Sequence, residues 1–136
     1  MRGIRVGLFR RSPQPSLGQS GTAALEYAII LPALLMMVLG AMDAGRAMWL
    51  QVTLERAVET AARCASVSLT KCGSAAQIQT YAVAQAFGTT LKASVFTSAT
   101  ASCGVKVTGS VPFTFVMPWM TKRNVTLIAT ACYPLQ

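Results

Sequence analysis

The amino-acid sequence predicts an α+β fold. A long N-terminal helix, apolar all round and then amphipathic, packs on a small antiparallel β-sheet, with a short second helix between them. Three observations carry this expectation. From Ala23 to Met42 the chain is apolar almost without interruption. From Arg46 to Thr70 apolar residues recur at helical spacing with no Gly or Pro among them. Beyond Gly88 the period changes to two.

Composition bounds the rest. The 136 residues leave room for one domain at about 150 residues per domain. Hydrophobic residues make up 53% and charged residues 12%, where soluble domains carry roughly 25% charged. The deficit points to a membrane segment and an alanine-rich packing surface. The net charge of +8 is unevenly placed: Arg2, Arg5, Arg10 and Arg11 precede every acidic residue, and the remaining basic residues are spread thinly from Arg46 to Arg123. A nucleic-acid module clusters its basic residues on the folded part and interleaves aromatics. Here the cluster precedes an apolar run, which the positive-inside rule explains without nucleic acid as a partner.

Residues 1–21 read as a basic cytoplasmic leader. They combine the arginines with Ser12-Pro13-Gln14-Pro15-Ser16, which has little to bury and resists helix formation, so the leader is expected to be disordered. Residues 22–44 read as a transmembrane helix, because about twenty apolar residues at ~1.5 Å rise span roughly 30 Å, the thickness of a bilayer core. Pro32 lies within it and removes one backbone donor, which membrane helices tolerate. Gly40 with Ala44, and Ala41 with Gly45, form two small-xxx-small pairs that permit close helix contact. The flanking charge leaves the N-terminus in the cytoplasm and residues 45–136 outside as an extracytoplasmic α+β domain.

Leu50, Leu54, Ala57, Val58, Ala61 and Ala65 fall on one helical face, with Gln51, Glu55, Arg56, Glu59 and Arg63 on the others. The membrane helix is therefore expected to continue outward as one rod of roughly forty residues. Glu55 and Glu59, at i, i+4, interleave with Arg56 and Arg63 and read as helix-surface ion pairing. A break follows at Lys71-Cys72-Gly73-Ser74. Ser74 with Gln77 forms a capping-box signature, and Ile78, Tyr81, Ala82 and Phe87 mark the apolar face of a short helix ending at Gly88. Val105, Val107 and Val111 then alternate with Lys106, Thr108 and Ser110; Val125, Leu127, Ala129 and Ala131 alternate with Thr126, Ile128, Thr130 and Cys132. Pro112 to Trp119 is apolar with a Pro near each end, and reads as an edge strand or a loop over the core. Two to four strands packed on the extended helix are the smallest arrangement that buries these faces.

The chemistry-bearing residues are few. Without His the chain has neither His-based general-base catalysis nor His metal ligation. No nucleophile motif, phosphate loop or convergent acid pair appears, so neither an enzyme nor a cofactor is expected. Cys64, Cys72, Cys103 and Cys132 are even in number and lie on the side expected outside, which points to two disulfides. Of the three pairings, Cys64 with Cys72 and Cys103 with Cys132 are favoured, one pinning the helix end to its turn and the other stapling two strands. A zinc site of four thiolates would show paired C-x2-4-C knuckles, and none occurs.

Glu26 stands at the threshold of the apolar run, where an unpaired charge costs several kcal/mol. Cutting between Gly21 and Thr22 makes Thr22 the first residue and puts Glu26 fifth and Tyr27 sixth. This resembles the processing site of type IV prepilins, and a Glu-Tyr pair at these positions is the version found in the Flp (Tad) branch. From about Ser20 to Arg63 the chain resembles the TadE family of pseudopilin-like proteins. The resemblance is carried by Ala24, Glu26, Ala28, Leu31-Pro32, the Leu and Met run, Gly40, Gly45-Arg46 and Ala61-Ala62-Arg63. One departure is Thr22, where many prepilins carry Phe. The resemblance implies a pilin-like fold and a role in Flp pilus assembly and adhesion at the bacterial inner membrane. Its implied partners are a prepilin peptidase, other pilins or pseudopilins, the Tad inner-membrane assembly proteins and membrane lipid. Flp pilins are much shorter, so the extra domain implies a minor component.

Two other readings compete. One is an unprocessed single-pass anchor carrying an unrelated periplasmic domain, in which Glu26 merely marks the cytoplasmic interface. The other is a secreted, disulfide-stapled binding protein released from a signal peptide. Against the second, the nearest small-x-small site after Met42 is Gly45-Arg46-Ala47, with Arg in the middle.

Overall fold

The computed structural model describes residues 17–116 and 125–135. The arginine cluster of the leader and the stretch 117–124, which includes Trp119, Lys122 and Arg123, lie outside the described residues. The chain divides into two units, Met1–Leu35 and Met36–Gln136. Helix α1, Leu17–Val67, contributes to both.

Within the first unit, every side chain from Gly21 to Leu35 is exposed, including Leu25, Ile29, Ile30, Leu31, Leu34 and Leu35. The apolar part of α1 has a mean hydropathy of 2.0 over an 18-residue stretch, none of it buried, and it is long and apolar enough to cross a membrane. Water would penalise each exposed large side chain by ~1.5–3 kcal/mol relative to an apolar environment; acyl chains remove that penalty. Helix α1 runs through Pro32. It also includes Leu17–Ser20, which corrects the expectation that the leader is unstructured up to Ser20. The physical reason is that extending an existing helix costs far less than nucleating one, and no Pro follows Pro15 until Pro32.

In the second unit, α1 buries Leu54, Ala57, Val58, Ala61, Ala62 and Ala65, with Leu50 packed at the edge. The i, i+3, i+4, i+7 spacing makes one stripe. Helix α1 ends at Val67, three residues earlier than the absence of Gly and Pro implies, because Ser68 adopts extended dihedrals. A single turn, α2 (Leu69–Cys72), follows. The third helix, α3 (Ala75–Gln85), opens on a complete capping box: Ser74 Oγ accepts from the Gln77 N–H at 3.3 Å, and Gln77 Oε1 accepts from the Ser74 N–H at 3.1 Å. It buries Ile78 and Ala82 with Tyr81 at the margin. Since α3 stops at Gln85, the helical phase that would turn Phe87 inward is lost; Ala86 is buried instead and Phe87 is 72% exposed. This corrects the assignment of Phe87 to the apolar face.

Among the described residues the sheet has three antiparallel strands in the order β1-β2-β3: β1 Phe96–Ala101, β2 Gly104–Phe113 and β3 Val125–Tyr133. Strand β1 has no counterpart among the sequence expectations. Only Phe96 of it is buried, and its Thr, Ser and Ala residues give alternation no contrast. Pro112 and Phe113 close β2, beyond the last residue that pairs with β1 (Gly109), where one edge of β2 is open and a missing N–H costs nothing. Phe96, Val107, Val111 and Ala129 face the α1 stripe, and Gln79 Nε2 donates to the Phe96 carbonyl at 2.8 Å, tying α3 to β1.

Two glycines are dictated by this geometry. Gly104 turns the chain from β1 into β2 with φ +116°, and a side chain there would collide with the Tyr133 carbonyl. Gly109 lets the sheet approach α1: a Cβ on it would lie 2.7 Å from Leu54 Cδ1 and 3.1 Å from Val58 Cγ1, both in the core. Gly109→Ala is therefore expected to cost ~1–3 kcal/mol by overpacking. The detergent-solubilised chain would show this as a fall of roughly 4–8 °C in its unfolding midpoint per kcal/mol. An unchanged midpoint would mean that Leu54 moves aside freely.

Candidate functional site

The residues singled out in the N-terminal segment all lie on the exposed first part of α1. Gly21, Thr22, Glu26 and Tyr27 are exposed, Tyr27 to 72%, and no atom lies within 4 Å of where a Gly21 Cβ would stand. Thr22 and Glu26, four residues apart on a helix, share one face about 6 Å apart along the axis. The Glu26 carboxylate is surrounded in sequence by Leu25, Tyr27, Ile29 and Ile30, each exposed. Because the helix runs through Gly21, the Gly21–Thr22 bond would open to any hydrolase only on local unwinding. Gly18 and Gly21 ease it, each weakening a helix by ~1 kcal/mol relative to Ala.

The cysteines form two covalent staples in the second unit. Cys64, in the last turns of α1, is joined to Cys72 at the end of α2, with 5.8 Å between Cα atoms. Cys103, in the β1–β2 turn, is joined to Cys132 on β3, with 6.1 Å between Cα atoms. The chain-entropy model gives roughly 2.5 kcal/mol for the shorter closed loop and roughly 3.5 for the longer. No cysteine is left free, and among the described residues no group of three or more His, Cys, Asp or Glu is placed to hold a metal ion.

A third cluster escaped the sequence reading. Asp43, just past the apolar run, is only 3% exposed. Its Oδ1 accepts from Arg46 Nη1 at 3.1 Å, and its Oδ2 accepts from the Val116 N–H at 2.9 Å. The Arg46 guanidinium lies 5.7 Å from the centre of the Phe113 ring, which meets Phe115 edge-on at 5.1 Å. One carboxylate thus fastens the chain leaving β2 to the start of the amphipathic part of α1. The i, i+3 spacing of Asp43 and Arg46 is visible in the sequence; the partner 73 residues away is not.

An exposed apolar helix that continues into a sheet-packed, disulfide-stapled domain defines a membrane-anchored, pilin-like protein. The model of the family described as TadE-like protein matches residues 21–63, so this segment is similar to that family. The matched segment is about a third of the chain and runs from Gly21 through Asp43 and the core stripe to Arg63. Neither the curated proteins nor the solved structures include a match.

Proposed function

We propose that this chain is a minor pseudopilin of a Tad (Flp) pilus system, acting in pilus assembly and adhesion. In this reading residues 1–21 are a cytoplasmic leader, 22–44 cross the inner membrane, and 45–136 form the extracytoplasmic domain. The two disulfides support that orientation, since they persist in oxidising compartments. A prepilin peptidase hydrolyses the Gly21–Thr22 bond, leaving a carboxylate on Gly21 and a new ammonium on Thr22. That ammonium pairs with the Glu26 carboxylate of the same or a neighbouring subunit, fixing register as subunits stack alongside other pilins and the Tad inner-membrane proteins. A buried pair need not stabilise more than apolar residues would, but it specifies alignment.

The observation that carries the reading is one of placement. The family match begins at Gly21, and the only acid of the apolar run lies one turn beyond the bond to be cut, on the exposed first part of α1. N-terminal sequencing of the chain from envelopes of cells with and without the peptidase tests it. Thr22 as first residue, only when the peptidase is present, is the expected result. Met1 in both would leave a single-pass anchor, and a start near Met48 a secreted protein.

A further inference from the structure

The second unit carries an aromatic, cationic surface beside the end of its apolar helix. Within this unit Met36, Met37, Val38 and Met42 are exposed on α1. Met42 then lines a groove of about 700 Å³ together with Arg46, Trp49 and Phe113. Trp49 also lines a second hollow of about 190 Å³ with Phe87 and Arg56. Trp49 is 63% exposed and Phe87 72%, so two large aromatic side chains stand side by side uncovered. An arginine lines each hollow: Arg46, paired with Asp43, in the first and Arg56 in the second.

We propose that this surface is a bilayer-interface anchor: Trp49 and Phe87 sit in the headgroup layer, with Arg56 facing the phosphates of anionic phospholipid. The inference rests on reading the apolar part of α1 as a membrane span. Trp49 is seven residues beyond Met42, which puts it about 10 Å further along the helix axis. The headgroup layer extends roughly 5–8 Å beyond the hydrocarbon on each side, and side chains on a helix lean back toward its N-terminus, here toward the bilayer, which brings the indole into that layer. Trp favours that layer because its ring is apolar and its N–H still reaches polar partners. Phe87 joins it because α3 stops two residues earlier and turns the ring outward. Neighbouring bare rings beside a cation suit a lipid interface, where the rings leave water and the guanidinium stays among polar headgroups.

The test uses the full chain in vesicles of phosphatidylethanolamine and phosphatidylglycerol, with Trp119→Phe leaving Trp49 as sole tryptophan. Phospholipid brominated near the headgroup is expected to quench Trp49 several-fold more than phospholipid brominated deep in the acyl chain. Phe87→Asp or Arg56→Glu should reduce that quenching. Free quenching by aqueous acrylamide with none by brominated lipid overturns the proposal. Shielding from both also overturns it, and points to a second copy covering the patch. Failure of the chain to float with vesicles defeats the membrane reading and this one together. Shallow quenching of a chain that cells leave unprocessed at Met1 supports the anchor while removing the pseudopilin reading.

Discussion

Glu26→Ala is expected to leave cleavage at Gly21–Thr22 largely intact and to remove the protein from assembled filaments. The peptidase acts on the leader boundary, four residues before the substitution, whereas assembly in this account depends on the charge meeting the Thr22 ammonium. Deleting the acid leaves that ammonium unpartnered beside the apolar run, at a cost on the order of 3 kcal/mol for an intramembrane charge. Such a cost corresponds to roughly a hundredfold loss of incorporation, at ~1.4 kcal/mol per factor of ten. Glu26→Gln keeps the shape and loses the charge, so it should fall with Ala. Immunoblots of sheared pilus fractions against envelopes provide the readout, and normal incorporation of either variant would remove the pairing from the account.

Asp43→Ala is expected to lower folded stability substantially. It strips a buried acceptor from the Val116 N–H and a counter-charge from Arg46. Charge-assisted bonds contribute ~1.5–3 kcal/mol each when one partner is lost, but the Arg46 side chain is half-exposed and solvent screening reduces its share to below about 1 kcal/mol. The expected total is therefore roughly 2–3 kcal/mol. Asp43→Asn, which retains an acceptor for Val116, should lose about half of that. Arg46→Ala should lose least, since only the exposed pair and the contact with Phe113 go. Thermal unfolding of the three variants in detergent gives the ranking. Equal losses for Asp43→Ala and Arg46→Ala would show that the bond to Val116 contributes nothing.

What the sequence made legible follows from which physical signals are local. The α1 stripe, the Ser74–Gln77 capping box and the alternation along β2 and β3 are written in spacings of two, three or four residues. Each appears in the structure. Strand β1 was illegible because Thr97, Ala99 and Thr100 are exposed and only Phe96 is buried, so its pairing with β2 supplies what its own pattern lacks. Phe87 departs from the helical spacing because the end of α3 is decided at Ala86, two residues before Gly88. Helical Leu17–Ser20 carries no periodic signal of its own; it is helical as the cheap extension of the apolar helix that follows. The candidate site divides along the same line. Glu26 and its spacing from Gly21 are local and readable. The Asp43 latch depends on Val116, and the bare surface at Trp49 on where Phe87 emerges; tertiary packing alone brings those residues together.

The most direct measurement is the separation between the Thr22 α-nitrogen and the Glu26 carboxyl carbon in assembled protein, by rotational-echo double-resonance NMR. The sample would carry ¹⁵N-threonine and ¹³C-carboxyl glutamate, the ammonium resonance identifying the freed N-terminus. Contact at ion-pair range, about 4 Å, is the expected result. An ammonium signal that shows no dephasing by any glutamate carboxyl would contradict the account, since a trimmed chain would then assemble without the bond that trimming is held to create.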